Sequence, residues 1–380
     1  MNALTVASKE HFFSHLEEAF GEKIAKTEAT RISEFARQHY SQIPLEELVN
    51  RRFSDIYGCV MAAWQFLRKR GQDETPVSVF NPDLESDGWA STHTMIFIIH
   101  PNMPFLIDSL RIAINQREIG THSIQHAVLQ ISRDKDGKLL DLHANCKDAS
   151  GAERAGCAQE AFIAIEIDRH SAPEEMAELE QVLQSVLHEV RIAVGDFPRV
   201  TAKVMESREE LEHSAGGISK QQKKEAQAFL TWLQEDHFTF LGYDEYDFVN
   251  DKNGVEVRRV KDSELGILRV NNERPVCVRL SELPNRTGQE MTRTDDVFIF
   301  AKSAQRSRVH RPAYPDYIAI KRFNQKGEVV GERRFLGLYT ARVYNERPDQ
   351  IPLIRRKFES VMAQSGFPRD DYTGKELIKF

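Results

Sequence analysis

The chain has 380 residues, of which 41% are hydrophobic and 29% charged, which is typical of a globular protein with two or three domains. The net charge of −7 argues against a general nucleic-acid-binding surface, because phosphate binding requires an excess of Lys and Arg on one face. Four cysteines without a CxxC pair favour a reducing compartment. Since no signal peptide and no long apolar run is recognisable, we expect a cytoplasmic protein without a membrane partner.

Residues 1–72 are predicted to form a helical lead-in. Apolar residues recur at helical spacing from His11 to about Arg70. The glycines and prolines that follow end the helix and leave room for one short strand at 77–80.

Residues 73–205 are predicted to contain elements in the order strand, helix, strand, strand, helix, with extra hairpin strands. An uninterrupted apolar run at 94–99 predicts a buried strand, and residues 105–116 have the spacing of an amphipathic helix. Alternating segments then predict further strands and a hairpin, and a second helix is expected from Pro173 to Gly195. A sheet covered on one face by two helices satisfies this order.

The polar segment 206–218 is predicted to be a linker between domains. Residues 219–366 begin and end with helical patterns and contain strand-like runs between them, so we expect an antiparallel sheet with flanking helices. Residues Asn324 to Gly327 are predicted to make a hairpin turn in this sheet. Residues 367–380 resemble the start of a following element. The fold class is therefore predicted to be α+β.

The sequence lacks the motifs that usually announce catalysis. No GxGxxG or GxxxxGK[ST] turn is present to hold a dinucleotide or nucleotide, and neither HExxH nor GxSxG occurs. We therefore predict no catalytic residue and no cofactor in this chain, and expect it to regulate or bind.

Two groups of residues have some likeness to metal sites. His122 and His126 share one face of a predicted strand, but their Cα atoms would be roughly 13 Å apart. His143, Cys146 and Cys157 lack the second paired motif of a structural zinc site. We predict no metal site and interpret these as ordinary loop and strand residues.

The first candidate binding site is the turn formed by His100, Asn102, Met103, Pro104 and Phe105. It joins a predicted strand to a helix N-terminus, where unpaired N–H groups attract anions such as a carboxylate. In the alternative interpretation, Asn102 caps the helix and Phe105 packs into the core.

The second candidate lies in a predicted strand, where Arg306, Arg308 and His310 alternate and would face one way, with Arg311 beside them. Such a row could clamp an acidic ligand or an acidic partner surface. The alternative is a solvated strand edge that discourages aggregation.

Several long strings resemble the N-terminal part of the very large bacterial NAD-specific glutamate dehydrogenases. The resemblance covers most of residues 30–375. The strings are RRFSDIYGCVMAAWQFLRKR, VFNPDLESDGWASTHTMIFII, MPFLIDSLRIAIN, HFTFLGYDEY, LGILR, VHRPAYPDYIAIKRF and GERRFLGLYT.

The resemblance implies that residues 73–205 are an ACT-like sandwich of the βαββαβ type and that residues 219–366 are a PAS-like domain. Both would be regulatory domains ahead of a Rossmann-type catalytic domain, in a homo-oligomer. The implied parent reaction converts L-glutamate and NAD to 2-oxoglutarate, ammonia and NADH. The expected partners are the rest of the parent polypeptide, other subunits and an amino-acid effector. NAD would belong to the parent, not to this chain.

An ACT fold often binds an amino acid at the turn after its first strand and at subunit contacts. The general ACT pattern has an Asp before the Pro and a Gly after it, whereas this sequence has Asn102 before Pro104 and Phe105 after it. A Cβ and a ring restrict close approach of a ligand to the backbone. This departure favours an assembly or packing role, and the alternative is a stand-alone amino-acid or anion sensor.

Overall fold

The computed structural model describes residues 8–71, 74–143, 146, 156–214, 218–270, 275–283, 290–294 and 296–366. The element expected at 367–380 lies outside these residues. The chain divides into two compact units, residues 1–188 and 189–380. Within the described ranges, every helix is too short or too polar to traverse a lipid bilayer.

The first unit begins with helices, as its apolar spacing predicts. They are α1 (Lys9–Gly21), α2 (Lys26–His39), α3 (Leu45–Val49) and α4 (Phe53–Leu67). The Ser8 hydroxyl caps α1 by accepting a hydrogen bond from the His11 N–H at 3.2 Å. Their apolar faces are buried in one core.

An antiparallel sheet of five strands follows in the order β1-β2-β5-β3-β4. The strands are β1 (Val77–Phe80), β2 (Thr94–Pro101), β3 (Thr121–Arg133), β4 (Leu139–His143) and β5 (Cys157–Ile167). The helix α5 (Leu106–Asn115) joins β2 to β3, and α6 (Pro173–His213) follows β5.

The strand β2 and most of β5 are buried on both faces, which corrects the prediction of a sheet covered on one face. Met95, Phe97 and Ile99 of β2 belong to the core of the N-terminal helices, while Ile96 and Ile98 alternate with them and are also buried. The rings of Phe35 and Phe162 lie 5.3 Å apart across that core. The helical lead-in is therefore part of the same packed body as the sheet.

Among the described residues, no strand after α6 joins the first sheet, where the implied βαββαβ order would add its last strand. The edge strand beside β2 is β1, which precedes it in the chain, with Val77 opposite Ile98. The helix α6 does not end at Gly195 but continues to His213, with Pro198 inside it. Burial of Val200, Val204 and Leu211 in the second unit offsets the helix-breaking tendency of these two residues.

The predicted linker at 206–218 is thus helical through His213. The division between the compact units falls after His188, inside α6.

The second unit contains an antiparallel sheet in the order β10-β11-β12-β6-β7-β9, with β8 paired to β6. Its strands are β6 (Phe238–Asp251), β7 (Gly254–Arg259), β8 (Leu265–Gly266), β9 (Cys277–Arg279), β10 (Phe298–Lys302), β11 (Asp316–Phe323) and β12 (Val329–Tyr339). The helices α7 (Lys220–Trp232) and α8 (Ile354–Ser365) lie before and after the strands in the chain. The hairpin turn predicted at 324–327 is confirmed, since the Gly327 N–H donates to the Asn324 carbonyl at 3.0 Å.

Candidate functional site

The turn between β2 and α5 differs from the interpretation in which Asn102 caps the helix. Asn102 does not cap α5, because its backbone N–H donates to the Gln159 carbonyl at 2.9 Å and its side-chain amide donates to Gln159 Oε1 at 3.1 Å. The position before the helix is held by Phe105, which makes no side-chain capping hydrogen bond and has φ of 73°. That left-handed conformation favours glycine, the residue that the general ACT pattern places there.

The other members of the turn differ in exposure. His100 is fully buried, with Nδ1 2.9 Å from the Pro101 carbonyl oxygen. Met103 and Phe105 are half-buried, and Asn102 and Pro104 are exposed. Anion binding at this turn stays a prediction.

The prediction of a strand through Arg306, Arg308 and His310 is wrong. β10 ends at Lys302, and the segment that follows is a compact loop in which the Ser307 N–H donates to the Ala313 carbonyl at 2.9 Å. His310 has a left-handed φ of 69°, which strand geometry does not permit.

The basic residues of this loop therefore do not form a row. Arg308 donates to Glu189 Oε1 at 2.8 Å, and Arg311 donates to the Tyr339 carbonyl. Arg306 is exposed and lies over the Tyr314 ring, 5.3 Å from its centroid. An acidic ligand or partner at this loop stays a prediction.

A cavity of about 520 Å³ lies in the first unit, at the start of α4. One wall comes from Arg51 to Cys59 and the other from Trp89 to Met95, with Glu166 of β5 between them. Sequence reasoning did not single out these residues. A signal was present, however, because the two walls lie in the resembling strings at 51–70 and 79–99.

An ion pair crosses this cavity. Arg51 Nη1 donates to Glu166 Oε1 at 2.6 Å, and His93 Nδ1 lies 3.8 Å from Glu166 Oε2. Burial opposes the charge of Arg51, but the hydrogen bond and charge of Glu166 outweigh it and raise the pKa of Arg51. Burial also raises the pKa of the Cys59 thiol to about 11, so Cys59 is a poor nucleophile near neutral pH.

Trp89 is 3% exposed, and its indole Nε1 is buried without an acceptor among the described residues. Gly58 allows this placement, since a Cβ at that position would lie 2.4 Å from the Trp89 Cβ. A buried N–H without a partner is uncommon in folded proteins.

A histidine pair lies beside the cavity. The rings of His93 and His122 are 4.1 Å apart, and His122 Nε2 lies 2.8 Å from Asp168 Oδ1. The hydrogen bond with His122 lowers the pKa of Asp168 most, and the hydrogen bond from the Gly120 N–H lowers it further. Among the described residues, no three His, Cys, Asp or Glu side chains converge in a way that could hold a metal ion.

Cys146 and Cys157 form a disulfide with a Cα–Cα distance of 5.5 Å, which corrects their interpretation as ordinary loop and strand residues. A separation of 11 residues between two cysteines is not a recognisable disulfide motif, so the sequence did not predict this pairing. His143 does not join them but lies 2.8 Å from the Ser132 hydroxyl.

Comparison with known proteins relates two parts of this chain to one family. A family model described as "Glutamate dehydrogenase, ACT1 domain" matches residues 35–183, which include both walls of the cavity. A second, described as "Glutamate dehydrogenase, helical motif 1", matches residues 351–380.

Curated relatives agree with these matches. The NAD-specific glutamate dehydrogenase of Halomonas elongata is 41% identical over 365 residues, which are 96% of this chain and 22% of that protein. Its counterpart from Pseudomonas aeruginosa is 37% identical over 380 residues, 100% of this chain and 23% of that protein. A protein of the same name from Mycobacterium tuberculosis is 25% identical over 307 residues, covering 80% of this chain and 17% of that protein. The chain thus spans about a fifth of the length of the relatives it matches.

Proposed function

Because this chain belongs to the NAD-specific glutamate dehydrogenase family, whose N-terminal region it matches, we propose that it regulates and assembles such an enzyme and performs no chemistry itself. The observation that carries the proposal is the match of residues 35–183 to the ACT1 domain. The parent reaction would be oxidation of L-glutamate by NAD to 2-oxoglutarate and ammonia, with NADH as the second product.

The residues of this chain do not fit NAD. The glycine-rich dinucleotide turn of a Rossmann fold joins a strand of a parallel sheet to the helix that follows it. The strand pairs of the described residues are antiparallel, and the sequence has no GxGxxG. NAD binding and the chemistry of glutamate would therefore belong to the rest of the parent.

The second unit is proposed to be PAS-like, supported by its antiparallel sheet and its flanking helices. The domain boundaries are kept as proposed from the sequence, with an ACT-like domain at 73–205 and a PAS-like domain at 219–366. The parent is proposed to be a cytoplasmic homo-oligomer that responds to an amino-acid effector in glutamate catabolism.

Two measurements test the proposal. The purified 380-residue chain should form no NADH from L-glutamate and NAD, whereas the full-length parent should. A parent that lacks residues 1–366 should lose either its oligomeric state in analytical ultracentrifugation or its kinetic response to amino acids. NADH formation by the isolated chain, or a truncated parent unchanged in both properties, would refute it.

A second candidate function is that of a stand-alone amino-acid or anion sensor. The observation in its favour is the N-terminus of α5, which has no side-chain cap. Calorimetry with arginine, aspartate and glutamate would detect this function, and Asn102→Ala would be expected to weaken binding at the turn.

A further inference from the structure

The disulfide between Cys146 and Cys157 closes the connection between β4 and β5. Cys157 is the first residue of β5, and Cys146 lies three residues beyond His143, where β4 ends. The Cα atoms of the two cysteines are 5.5 Å apart, a distance that is usual for this bond. The disulfide therefore ties the chain that leaves β4 to the start of β5.

The two strands joined in this way differ in how firmly the fold holds them. β5 lies between β2 and β3, and its residues from Glu160 to Ile167 are buried. β4 is an edge strand that pairs with β3 alone, over four residue pairs with an irregularity at the last of them. Its residues are half-buried or exposed. The pairing of β4 therefore depends more on the disulfide than that of β5 does.

The two ends of β4 also differ in their support. Just before its start, the Gly137 carbonyl accepts a hydrogen bond at 3.0 Å from Arg133, whose side chain is largely buried. At its end, His143 Nε2 lies 2.8 Å from the Ser132 hydroxyl, and the ion pair of Asp141 with α2 is exposed. Because an exposed ion pair contributes little to stability, the end of β4 relies on the disulfide more than its start does.

Neither cysteine of the disulfide is buried. Cys146 and Cys157 are both half-buried, whereas the free Cys59 is buried. Reduction of a disulfide begins when a thiolate attacks one of the two sulfur atoms, so it requires access to the bond. The position of this disulfide at the edge of the sheet is compatible with such an attack.

The other cysteines indicate the surroundings that suit this disulfide. Cys59 and Cys277 are free, and Cys277 is exposed. An exposed free thiol can attack a disulfide of its own or another chain, so it suits a compartment that keeps thiols reduced. In such a compartment disulfides are usually transient and serve catalysis or redox sensing. One disulfide together with an exposed thiol therefore favours a reversible bond over a permanent one.

We propose that Cys146 and Cys157 are a reversible redox site, at which a thiol of the glutathione class reduces the disulfide and releases the end of β4. The inference goes beyond the proposed regulatory function, since it depends on neither the effector nor the partner of the chain.

Reduction of the site proceeds by two thiol–disulfide exchanges. A thiolate attacks one sulfur of the disulfide, forms a mixed disulfide and releases the other cysteine as a thiolate, which takes up a proton. A second thiolate attacks the reductant's sulfur in the mixed disulfide and releases the remaining cysteine. The protein gains two electrons and two protons, and the two reductant molecules leave as one disulfide. Glutathione disulfide reverses both steps.

A glutathione titration of the full 380-residue chain tests whether the bond is reversible. The chain is equilibrated at a series of ratios of reduced to oxidised glutathione, its thiols are alkylated, and a tryptic digest is measured by mass spectrometry. Trypsin cleaves after Lys138, Lys147 and Arg154, so only the disulfide joins the peptides that carry the two cysteines. The linked peptides should give way to two alkylated ones as the ratio rises, and should re-form when oxidised glutathione is restored.

Two results of this titration would overturn the inference. A pair that stays linked at the most reducing ratio is a permanent structural disulfide. A pair that does not link at the most oxidising ratio is not a redox site.

Hydrogen exchange tests the release of β4. In the reduced chain the amides of 139–143 should exchange about tenfold faster or more than in the oxidised chain, whereas those of 161–167 in β5 should change by less than about twofold. Equal exchange of 139–143 in the two states would contradict the inference, because β4 would then not depend on the disulfide.

Two serine variants identify the thiols that respond. Cys146→Ser removes the disulfide, so the amides of 139–143 should exchange at the fast rate at every glutathione ratio. Cys277→Ser removes an exposed thiol that belongs to no disulfide, and it should keep the redox dependence of the wild type. Loss of that dependence in Cys277→Ser, or its persistence in Cys146→Ser, would place the response at another thiol and overturn the inference. None of these results bears on the proposed regulatory role, which the truncated parent tests separately.

Discussion

At the scale of single residues, His39 is an ionisable group held in its neutral form. Its side chain is 3% exposed and packs against the rings of Phe35, Tyr40 and Phe162. Neither ring nitrogen has a partner among the described residues. Burial, reinforced by the charge of Arg51, lowers the pKa of His39 from 6.5 to about 3.

The depressed pKa makes stability depend on pH. The unfolded chain protonates His39 as the pH falls below 6.5, but the folded chain does not, so the stability present above that pH is lost as the pH falls towards 3. Between about pH 7.5 and 5.5 the loss should be about 1.4 kcal/mol.

Urea unfolding at these two pH values measures the loss. His39→Phe should reduce the difference in unfolding free energy between them by about that amount. His11→Phe, at an exposed histidine, should not change it. If the unfolding free energy changed equally with pH in both variants, His39 would not be neutral in the folded protein.

At the scale of elements, a buried ion triad joins the end of α4 to the sheet. Glu160 of β5 accepts hydrogen bonds at 2.8 Å from Arg70 and, in a bidentate pair, from Arg133 of β3. The side chains of Arg70, Arg133 and Glu160 are only 8%, 10% and 4% exposed, respectively. Arg133 also donates to the carbonyls of Leu67 and Gly137 at 3.0 Å. The triad therefore links the last turn of the helix to the β3–β4 hairpin.

Removing the carboxylate from this triad should be strongly destabilising. Glu160→Gln would leave two buried guanidinium groups without a counter-charge, and breaking a buried pair in this way costs about 3–5 kcal/mol. The matched control is Glu178→Gln, which breaks an exposed pair with Arg117 and should cost less than about 1 kcal/mol. Free energies of unfolding in guanidinium chloride provide the comparison. Similar losses in the two variants would mean that the triad contributes no more than a surface pair.

At the scale of the whole molecule, each compact unit has a core of its own. Phe162 is fully buried where the N-terminal helices meet the first sheet, and Phe335 is fully buried against Phe240 and Tyr243 in the second sheet. Separate cores allow a local defect to be confined to the unit that contains it.

Hydrogen exchange should reveal this separation. Phe162→Ala and Phe335→Ala each remove a buried ring and should cost about 3–5 kcal/mol. We expect Phe162→Ala to accelerate amide exchange in 94–101 and 157–167, and Phe335→Ala to do so in 238–251 and 316–323. Mass spectrometry of peptides from these segments would measure the change. Acceleration in all four segments by either variant would show one cooperative unit.

The sequence by itself determined the local elements and the family of this protein. Helical spacing of apolar residues identified α4 and α5, and turn-forming residues identified the hairpin at 324–327, because these features depend on neighbours within a few positions. The long strings identified the family because they do not depend on how the chain folds.

Only the tertiary structure decided which distant residues meet. Asn102 bonds to Gln159 and does not cap the helix that follows it, Arg308 pairs with Glu189, and β1 pairs with β2. The cavity likewise exists only because the start of α4 and the segment before β2 converge on Glu166. Such contacts depend on the path of the whole chain, and local periodicity carries no information about them.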